Sequence, residues 1–365
     1  MKLKKLAILN YKNIEQAEVE FSPKINCFFG NNGMGKTNLL DAIYYLSFTK
    51  SHVSTPDNQI IKNGNNLCVI QGIYNYSGRE EEIFCALRVG QRKQFKRNKK
   101  EYEKLSEHIG LLPLVMISPA DVELIRGGSD ERRRFLDLII SQQDKPYLHA
   151  LIQYNKALYQ RNVLLKNQSH DQSLFEVLEM QMDIYGQLVY ETRKRMVEDF
   201  VPIFNAYYHK ICTFPEEVDL RYVSQIEGER LKDLLEESRE RDRMLSYTST
   251  GAHKDDLEML LNTSLIRKSG SQGQTKTYLI ALKLAQFAFL KSKGNTTPVL
   301  LLDDLFDKLD ANRVQQIISL VNSHEFGQIF ITDTNRKYLD EILSLTGNEY
   351  SLFKVDQGEV QPLTI

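Results

Sequence analysis

The sequence predicts an α/β fold interrupted by an inserted block of helices, and three observations predict it. β-Type patterning fills both terminal thirds of the 365 residues, and long amphipathic helices fill the middle. Near the N-terminus a glycine-rich turn joins a strand to a helix.

From residue 1 to about 120 the text alternates as strands do: "KLAILNYKNI", "AEVEFS", "LCVIQGIYNY", "EEIFCALRVG" and "LLPLVMIS". Within it lies "FFGNNGMGKTNLLDAIYYL", residues 28–46, where Gly30, Gly35, Lys36 and Thr37 fit the phosphate-loop pattern G-x-x-x-x-G-K-[ST]. "KINCFF" before the loop reads as a strand, and "TNLLDAIYYL" after it has apolar residues at helical spacing. The chemistry explains the spacing. Unhindered glycines let successive N–H groups turn inward around a di- or triphosphate, and the helix beginning near Lys36 points its positive end at the same anion. Lys36 then reaches the β- and γ-phosphates, and the Thr37 hydroxyl is placed to ligate Mg²⁺.

From Asp130 to about Arg243 the pattern changes to helices, among them "DERRRFLDLIISQQ" and "YLHALIQYNKALYQRNVLLKNQ". A third begins at "SLFEVLEMQMDIYGQLVYETRKRM" and runs on past Pro202 as one long helix or as two with a kink there. "RLKDLLEESRERDR" is a further charged helix, and strand signals return after Ser246. These changes place boundaries near 120 and 245: residues 1–120 and 246–365 form two parts of one head, and 121–245 an inserted arm.

The C-terminal third carries the other half of a nucleotide site. "TPVLLLDDLFD" is a buried-strand run ending in paired carboxylates, Asp303 and Asp304. Asp303 stands where a strand-end aspartate holds Mg²⁺, and a second carboxylate beside it can polarise an attacking water. Upstream, "KSGSQGQTKTYLIALKLAQFAFL" opens a long apolar-faced helix with a Gly/Ser/Gln turn, which offers free N–H groups to an anion or is an ordinary helix cap.

Composition bounds the rest. At 42% hydrophobic and 26% charged residues the chain is ordinary globular protein, and its length favours two domains. No apolar run suits a signal peptide or a membrane span, and four dispersed cysteines read as buried free thiols, so the expected compartment is the cytoplasm. A net charge of −1 argues against a constitutive nucleic-acid coat. The basic run "RKQFKRNKK" (Arg92, Lys93, Lys96, Arg97, Lys99 and Lys100) is either a solvated hairpin tip or a phosphate-backbone contact.

Phosphate loop, "GSQGQ", "LLLDD" and "DKLD", in that order, resemble the ABC-type ATPase heads, the class that includes the SMC proteins. Within that class the text is similar to the RecF family of bacterial DNA replication and repair proteins. The resemblance is carried by "NYKNIEQAEVEFSPKINCFFGNNGMGKTNLLDAIYYLS", "ISPADVELIRGGSDERRRFLD", "NKALYQRNVLLK", "RDRMLSYTSTGAHKDDL" and "GSQGQTKTYLIALKLAQFAFL", which extend over nearly the whole chain. It implies an ABC-type P-loop ATPase head, a mixed sheet plus an antiparallel lobe, with an inserted α-helical arm domain.

By that resemblance Gly30, Asn31, Asn32, Gly33, Met34, Gly35, Lys36, Thr37 and Asn38 cradle ATP, Thr37 and Asp303 hold Mg²⁺, and Asp304 is the catalytic base position. Ser271, Gln272, Gly273 and Gln274 stand at the signature, which serves the nucleotide of a partner protomer, and Asp310 closes the D-loop. The implied function is an ATP-driven homodimer that binds duplex DNA near single-stranded gaps. With RecO and RecR it promotes RecA loading in recombinational repair and the SOS response, and slow, DNA-stimulated ATP hydrolysis releases it.

The pattern departs from the general class in three places. Asp304 replaces the usual Glu, as it does in RecF proteins; no Q-loop glutamine occurs around Ala120 and Asp121; and Asp333 follows Thr332 where a switch histidine is usual. Ala252 also stands where RecF proteins generally have Pro. Two other readings stay open: another ABC-type ATPase subunit acting with a different partner, such as a transporter, and a P-loop kinase of small substrates. The long charged insert disfavours the first, and the signature-like turn and D-loop disfavour the second.

Overall fold

The computed structural model describes all residues except 54–55, 213, 306–310, 322–324, 335–338, 341–349 and 364–365. The chain divides into two units, Met1–Asp121 with Gln286–Ile365, and Val122–Ala285. In chain order the first unit supplies β1 (Lys2–Tyr11), β2 (Ile14–Glu20), β3 (Ile25–Phe29), α1 (Lys36–Phe48) and α2 (Asp57–Ile60). It continues with β4 (Leu67–Tyr76), β5 (Arg79–Arg88), β6 (Gln94–Arg97), β7 (Lys100–Glu101) and β8 (Leu114–Ile117). The second unit supplies α3 (Glu123–Arg126), α4 (Ser129–Ser141), α5 (Lys145–Lys166), α6 (Gln172–Ile211), β9 (Val218–Val223) and α7 (Leu231–Leu245). Then follow β10 (Asp256–Leu261), β11 (Ser264–Leu265), α8 (Ile266–Ser269) and α9 (Gln272–Lys293), whose residues from Gln286 onward belong to the first unit. β12 (Val299–Asp303), α10 (Ala311–Val321), β13 (Ile329–Asp333), β14 (Tyr350–Asp356) and β15 (Glu359–Leu363) complete the first unit.

The first unit contains both sheets that the sequence predicts. One is antiparallel, in the order β2-β1-β4-β5-β6-β7. The other is mixed, in the order β15-β14-β3-β13-β12-β8, with five parallel strands and β15 antiparallel at the edge. The difference is visible in the residues. β1 alternates buried and exposed positions, whereas β8, β12 and β13 are buried at every position and are correspondingly apolar, as parallel strands covered on both faces must be.

Two contacts tie this unit together. Phe21, Phe28, Phe330 and Phe353 cluster across the mixed sheet, with Phe21 edge-on to Phe330 at 4.9 Å and Phe28 stacked on Phe353 at 5.4 Å. Gln328, fully buried just before β13, accepts from the Leu3 N–H at 2.7 Å and donates to the carbonyls of Leu3 and Ser22, both at 2.8 Å. One amide thereby fastens the antiparallel sheet to the mixed one.

The second unit is helical around a three-stranded antiparallel sheet, β11-β10-β9. Asp144 and Asp171 cap α5 and α6, accepting from the backbone N–H groups of Tyr147 and Leu174. α6 is a single helix of 40 residues that continues through Pro202. Residues 246–285, assigned from the sequence to the head, belong to this unit instead. The reason is lateral: β10 pairs with β9, and the Tyr278 hydroxyl on α9 donates to the Asp219 carbonyl on β9 at 2.9 Å.

Arg161 is the largest fully buried side chain of the unit; it pairs with Glu179 at 3.0 Å and Asp242 at 2.7 Å, both also fully buried. Thr248 accepts a further bond from it at 2.9 Å. Removing one partner of a buried ion network strands the others, at roughly 3–5 kcal/mol. Arg161→Ala is therefore expected to lower the denaturant midpoint of this unit sharply, and an unshifted midpoint would show that the network is energetically neutral.

Candidate nucleotide site

β3 delivers the chain to the glycine-rich loop, and strand neighbours decide where the glycines must be. A Cβ on Gly30 would lie 2.2 Å from the Val355 carbonyl oxygen of β14, the strand next to β3, so no larger residue fits. Gly35 has φ +109 and stands at the N-cap of α1, with no side chain capping the helix. The N–H groups of the first turn therefore face an anion site without competition from a cap. Lys36 is buried and lies across the loop, its Nζ donating to the carbonyls of Gly30 at 2.9 Å and Asn31 at 3.2 Å. Gly33 lies in the left-handed region at φ +80, and Asn31, Asn32 and Gly33 are exposed.

The paired carboxylates arrive from β12, two strands away from β3. β13 lies between them, and its Thr332 is in register with Phe28 of β3 and with Asp303 of β12. The Thr332 hydroxyl donates to Asp303 at 2.7 Å and accepts from the Asp304 N–H at 3.1 Å. Thr37 Oγ1 sits 2.9 and 3.0 Å from the two Asp303 oxygens. Burial pushes the Asp303 carboxyl above its ordinary range, and neighbouring Asp304 adds to that; the Thr332 and Thr37 hydroxyls and Lys36 oppose it.

The Thr37 hydroxyl and the Asp303 carboxylate are hard oxygen donors on one spot, which suits Mg²⁺ completed by water and phosphate oxygens. Among the described residues no cluster of three or more His, Cys, Asp or Glu could hold a metal by protein ligands alone. Asp304 has φ +42, a left-handed backbone that short polar residues tolerate best, which is a physical reason for Asp at this position.

Several supports escape motif reasoning because they come from other strands. Asn13, in the β1–β2 turn, accepts from Asn38 Nδ2 at 2.7 Å and lies where a side chain at Gly35 would go. Gly358, in the β14–β15 turn, donates its N–H to the Met34 carbonyl at 2.8 Å. Asp41 of α1 is buried and accepts from the Tyr11 hydroxyl, Lys12 Nζ at 2.6 Å, the Ser51 hydroxyl at 2.8 Å and the His52 N–H at 2.7 Å. Thr332 and Asn13 lie inside stretches already notable in the sequence, yet nothing local marks them.

In the second unit, residues 271–274 form a reciprocal cap on α9. Gln274 N–H donates to the Ser271 hydroxyl at 3.2 Å, and Ser271 N–H donates to Gln274 Oε1 at 2.8 Å. Gln272 and Gly273 are the first two residues of the helix. Asp310 and the rest of "DKLD" lie outside the described residues.

The basic run forms the β6–β7 hairpin, with Asn98 and Lys99 at its tip in the left-handed region. Three of its cations are engaged within the fold, Arg92 by donating to the Glu103 carbonyl at 3.3 Å. Lys93 donates to Tyr45 and Thr49 and pairs with Asp57 at 2.8 Å, and Arg97 makes a two-pronged pair with Glu81 at 2.8 Å. Arg92, Lys99 and Lys100 are exposed, and Lys96 lies over the Phe84 ring. All four cysteines are buried free thiols, and among the described residues no helix is long and apolar enough to cross a membrane.

Comparison with known proteins agrees with this geometry. Residues 2–360 match the family model for the RecF/RecN/SMC N-terminal domain. The chain is 74% identical over 363 residues to the DNA replication and repair protein RecF of Parabacteroides distasonis, covering 100% of both chains. It is 56% identical to that of Bacteroides thetaiotaomicron, covering 100% of this chain and 99% of the relative. A solved structure of the recombination mediator protein RecF with ATP, from the RecFOR pathway, superposes with a TM-score of 0.89 at 29% identity, over 100% of this chain and 98% of that one. An Smc head domain from Pyrococcus furiosus shares the fold at a TM-score of 0.59 and 15% identity, covering 100% of this chain and 96% of that one. With the phosphate loop, the strand-end aspartates and the mixed sheet of an ABC-type ATPase head in place, the chain belongs to the RecF family.

Proposed function

We propose that this chain is an ATP-dependent DNA-binding protein of replication and recombinational repair, acting as a nucleotide-gated homodimer. The observation that carries the reading is the convergence of Lys36, Thr37 and Asp303 at one strand end, with the uncapped start of α1 behind them. On ATP binding, Lys36 exchanges the carbonyls of Gly30 and Asn31 for phosphate oxygens. Mg²⁺, when bound, would neutralise phosphate charge, held by Thr37 and Asp303. Asp304 orients the attacking water and takes its proton. Residues 271–274 close over the nucleotide of the partner protomer.

Hydrolysis in this scheme is a slow timer that DNA stimulates, and it ends the clamped state. The dimer binds duplex DNA beside single-stranded gaps and, with RecO and RecR, promotes RecA loading in the cytoplasm. A nearly neutral protomer contacts DNA weakly, but pairing two protomers doubles the phosphate contacts on one face. Arg92, Lys99 and Lys100 on the β6–β7 hairpin are the exposed candidates, with Lys96 beside them.

DNA binding by the purified protein, with and without ATP, on duplex, gapped and single-stranded substrates tests the reading. The expected result is ATP-dependent binding that favours the gapped duplex. Equal binding with and without ATP would remove the clamp.

A further inference from the structure

Gln274 uses both ends of its amide. Its Oε1 accepts from the Ser271 N–H at 2.8 Å, and its Nε2 donates to Glu216 Oε1 at 2.7 Å. Glu216 lies between α6 and β9, 58 residues earlier in the chain. Its other carboxylate oxygen receives the Tyr208 hydroxyl and, at 3.4 Å, the Cys212 thiol. Burial first, and then the bond to Glu216, hold the Tyr208 phenol well above its ordinary range, so it remains a donor.

The donors leave little choice. An ionised carboxylate only accepts, and here donors converge on it from Tyr208, Cys212 and Gln274. The Gln274 amide is thereby set one way round, NH₂ toward Glu216 and oxygen toward Ser271. That orientation is the one the reciprocal cap needs, because only the amide oxygen can receive the Ser271 N–H. Nε2 carries two hydrogens, and one of them remains for a ligand. Ser271 and Gln272 are exposed, and the turn is held from within by the Gln274 N–H donating to the Ser271 hydroxyl and the Thr275 hydroxyl donating to the Ser271 carbonyl at 2.8 Å. Glu216 is the contact that orients the Gln274 amide from another segment.

We propose that Glu216 is a positioning residue for the nucleotide-facing turn: through the Gln274 amide it sets the donors that residues 271–274 present to the γ-phosphate held by a partner protomer. This rests on the composite, two-protomer site proposed above. Glu216 itself touches no nucleotide. Its role is to remove the alternative rotamers of Gln274 before the two protomers meet, so that less ordering is left to association.

The test uses the full chain with Mg²⁺-ATP and three variants: Glu216→Ala, Glu216→Gln and Ser271→Arg. ATP affinity is measured on dilute protomers, and dimer formation by sedimentation at rising protein concentration. Glu216→Ala is expected to leave protomer ATP affinity unchanged and weaken ATP-dependent dimerisation about tenfold, the scale of one charge-assisted hydrogen bond. Glu216→Gln is expected to restore most of it, because its amide oxygen still accepts from Gln274. A merely structural loss would lower ATP affinity as well, and the Gln variant would have no particular reason to recover.

Unchanged or tighter dimerisation in Glu216→Ala, or a Gln variant as weak as the Ala variant, overturns the proposal. Ser271→Arg separates this outcome from failure of the composite site. If it abolishes the dimer while Glu216→Ala does not, only the role of Glu216 falls. If Ser271→Arg dimerises normally, the composite site fails and the role of Glu216 falls with it.

Discussion

Lys36→Ala is expected to abolish ATP binding and, with it, ATP-dependent dimerisation. The ammonium is buried and already surrounded by acceptors, the carbonyls of Gly30 and Asn31. In the proposed complex it pairs directly with phosphate, and a charge-assisted contact at a buried site is among the stronger single interactions a protein makes. Alanine also removes the brace that spans the loop, leaving those two carbonyls to water. The loop itself should keep its shape, since Gly30 is held against Val355, and Gly358 and Asn13 support it from two other turns. Loss of affinity is therefore expected without loss of fold. Calorimetric titration with ATP and with ADP, beside a circular-dichroism melt, checks this. A folded variant that still binds ATP in the micromolar range would refute the phosphate-loop assignment.

Asp304→Asn is expected to separate binding from turnover. The substitution preserves shape, and Asn accepts the left-handed backbone of this position as readily as Asp does. The N–H that donates to Thr332 is untouched. What disappears is the proposed base, together with a negative charge beside Asp303 that raises the Asp303 carboxyl's affinity for protons. ATP should bind at least as well as in the wild type, hydrolysis should fall roughly a hundredfold or more, the usual scale of a general base, and the dimer should accumulate on gapped DNA. ATP turnover measured beside dimer lifetime decides it. Turnover at the wild-type rate would mean that another group positions the water.

The pair of variants also tests the division of labour between the strand-end aspartates. Asp303 faces Thr37 and Thr332, so under the proposed function its substitution is expected to act on the metal position and hence on binding, and that of Asp304 on the step after binding.

The features that sequence alone determined are those whose physics is local. The phosphate loop is legible because its glycines, Lys36 and Thr37 lie within eight positions of the chain, and the left-handed backbone at Gly35 needs only the absence of a Cβ there. The helices from α4 to α7 are legible because periodicity needs only neighbours along the chain. The sequence leaves open whether α6 kinks at Pro202, and the structure carries it through as one helix whose turns on both sides of Pro202 carry buried side chains. The strand run ending at Asp303 was legible for the same reason. Tertiary structure decided what depends on which strands lie side by side. Thr332 reaches Asp303 only because β13 intervenes between β3 and β12, and Asn13 reaches Asn38 only because the β1–β2 turn comes to the loop. Lys93 and Arg97 look like available charge in a basic run, yet Asp57 of α2 and Glu81 of the neighbouring strand β5 claim them. Residues 246–285 look continuous with the head, yet β10 takes β9 as its partner and carries the signature-position turn into the helical unit. Strand register and ion pairing join residues tens to hundreds of positions apart, and no window along the chain contains both partners.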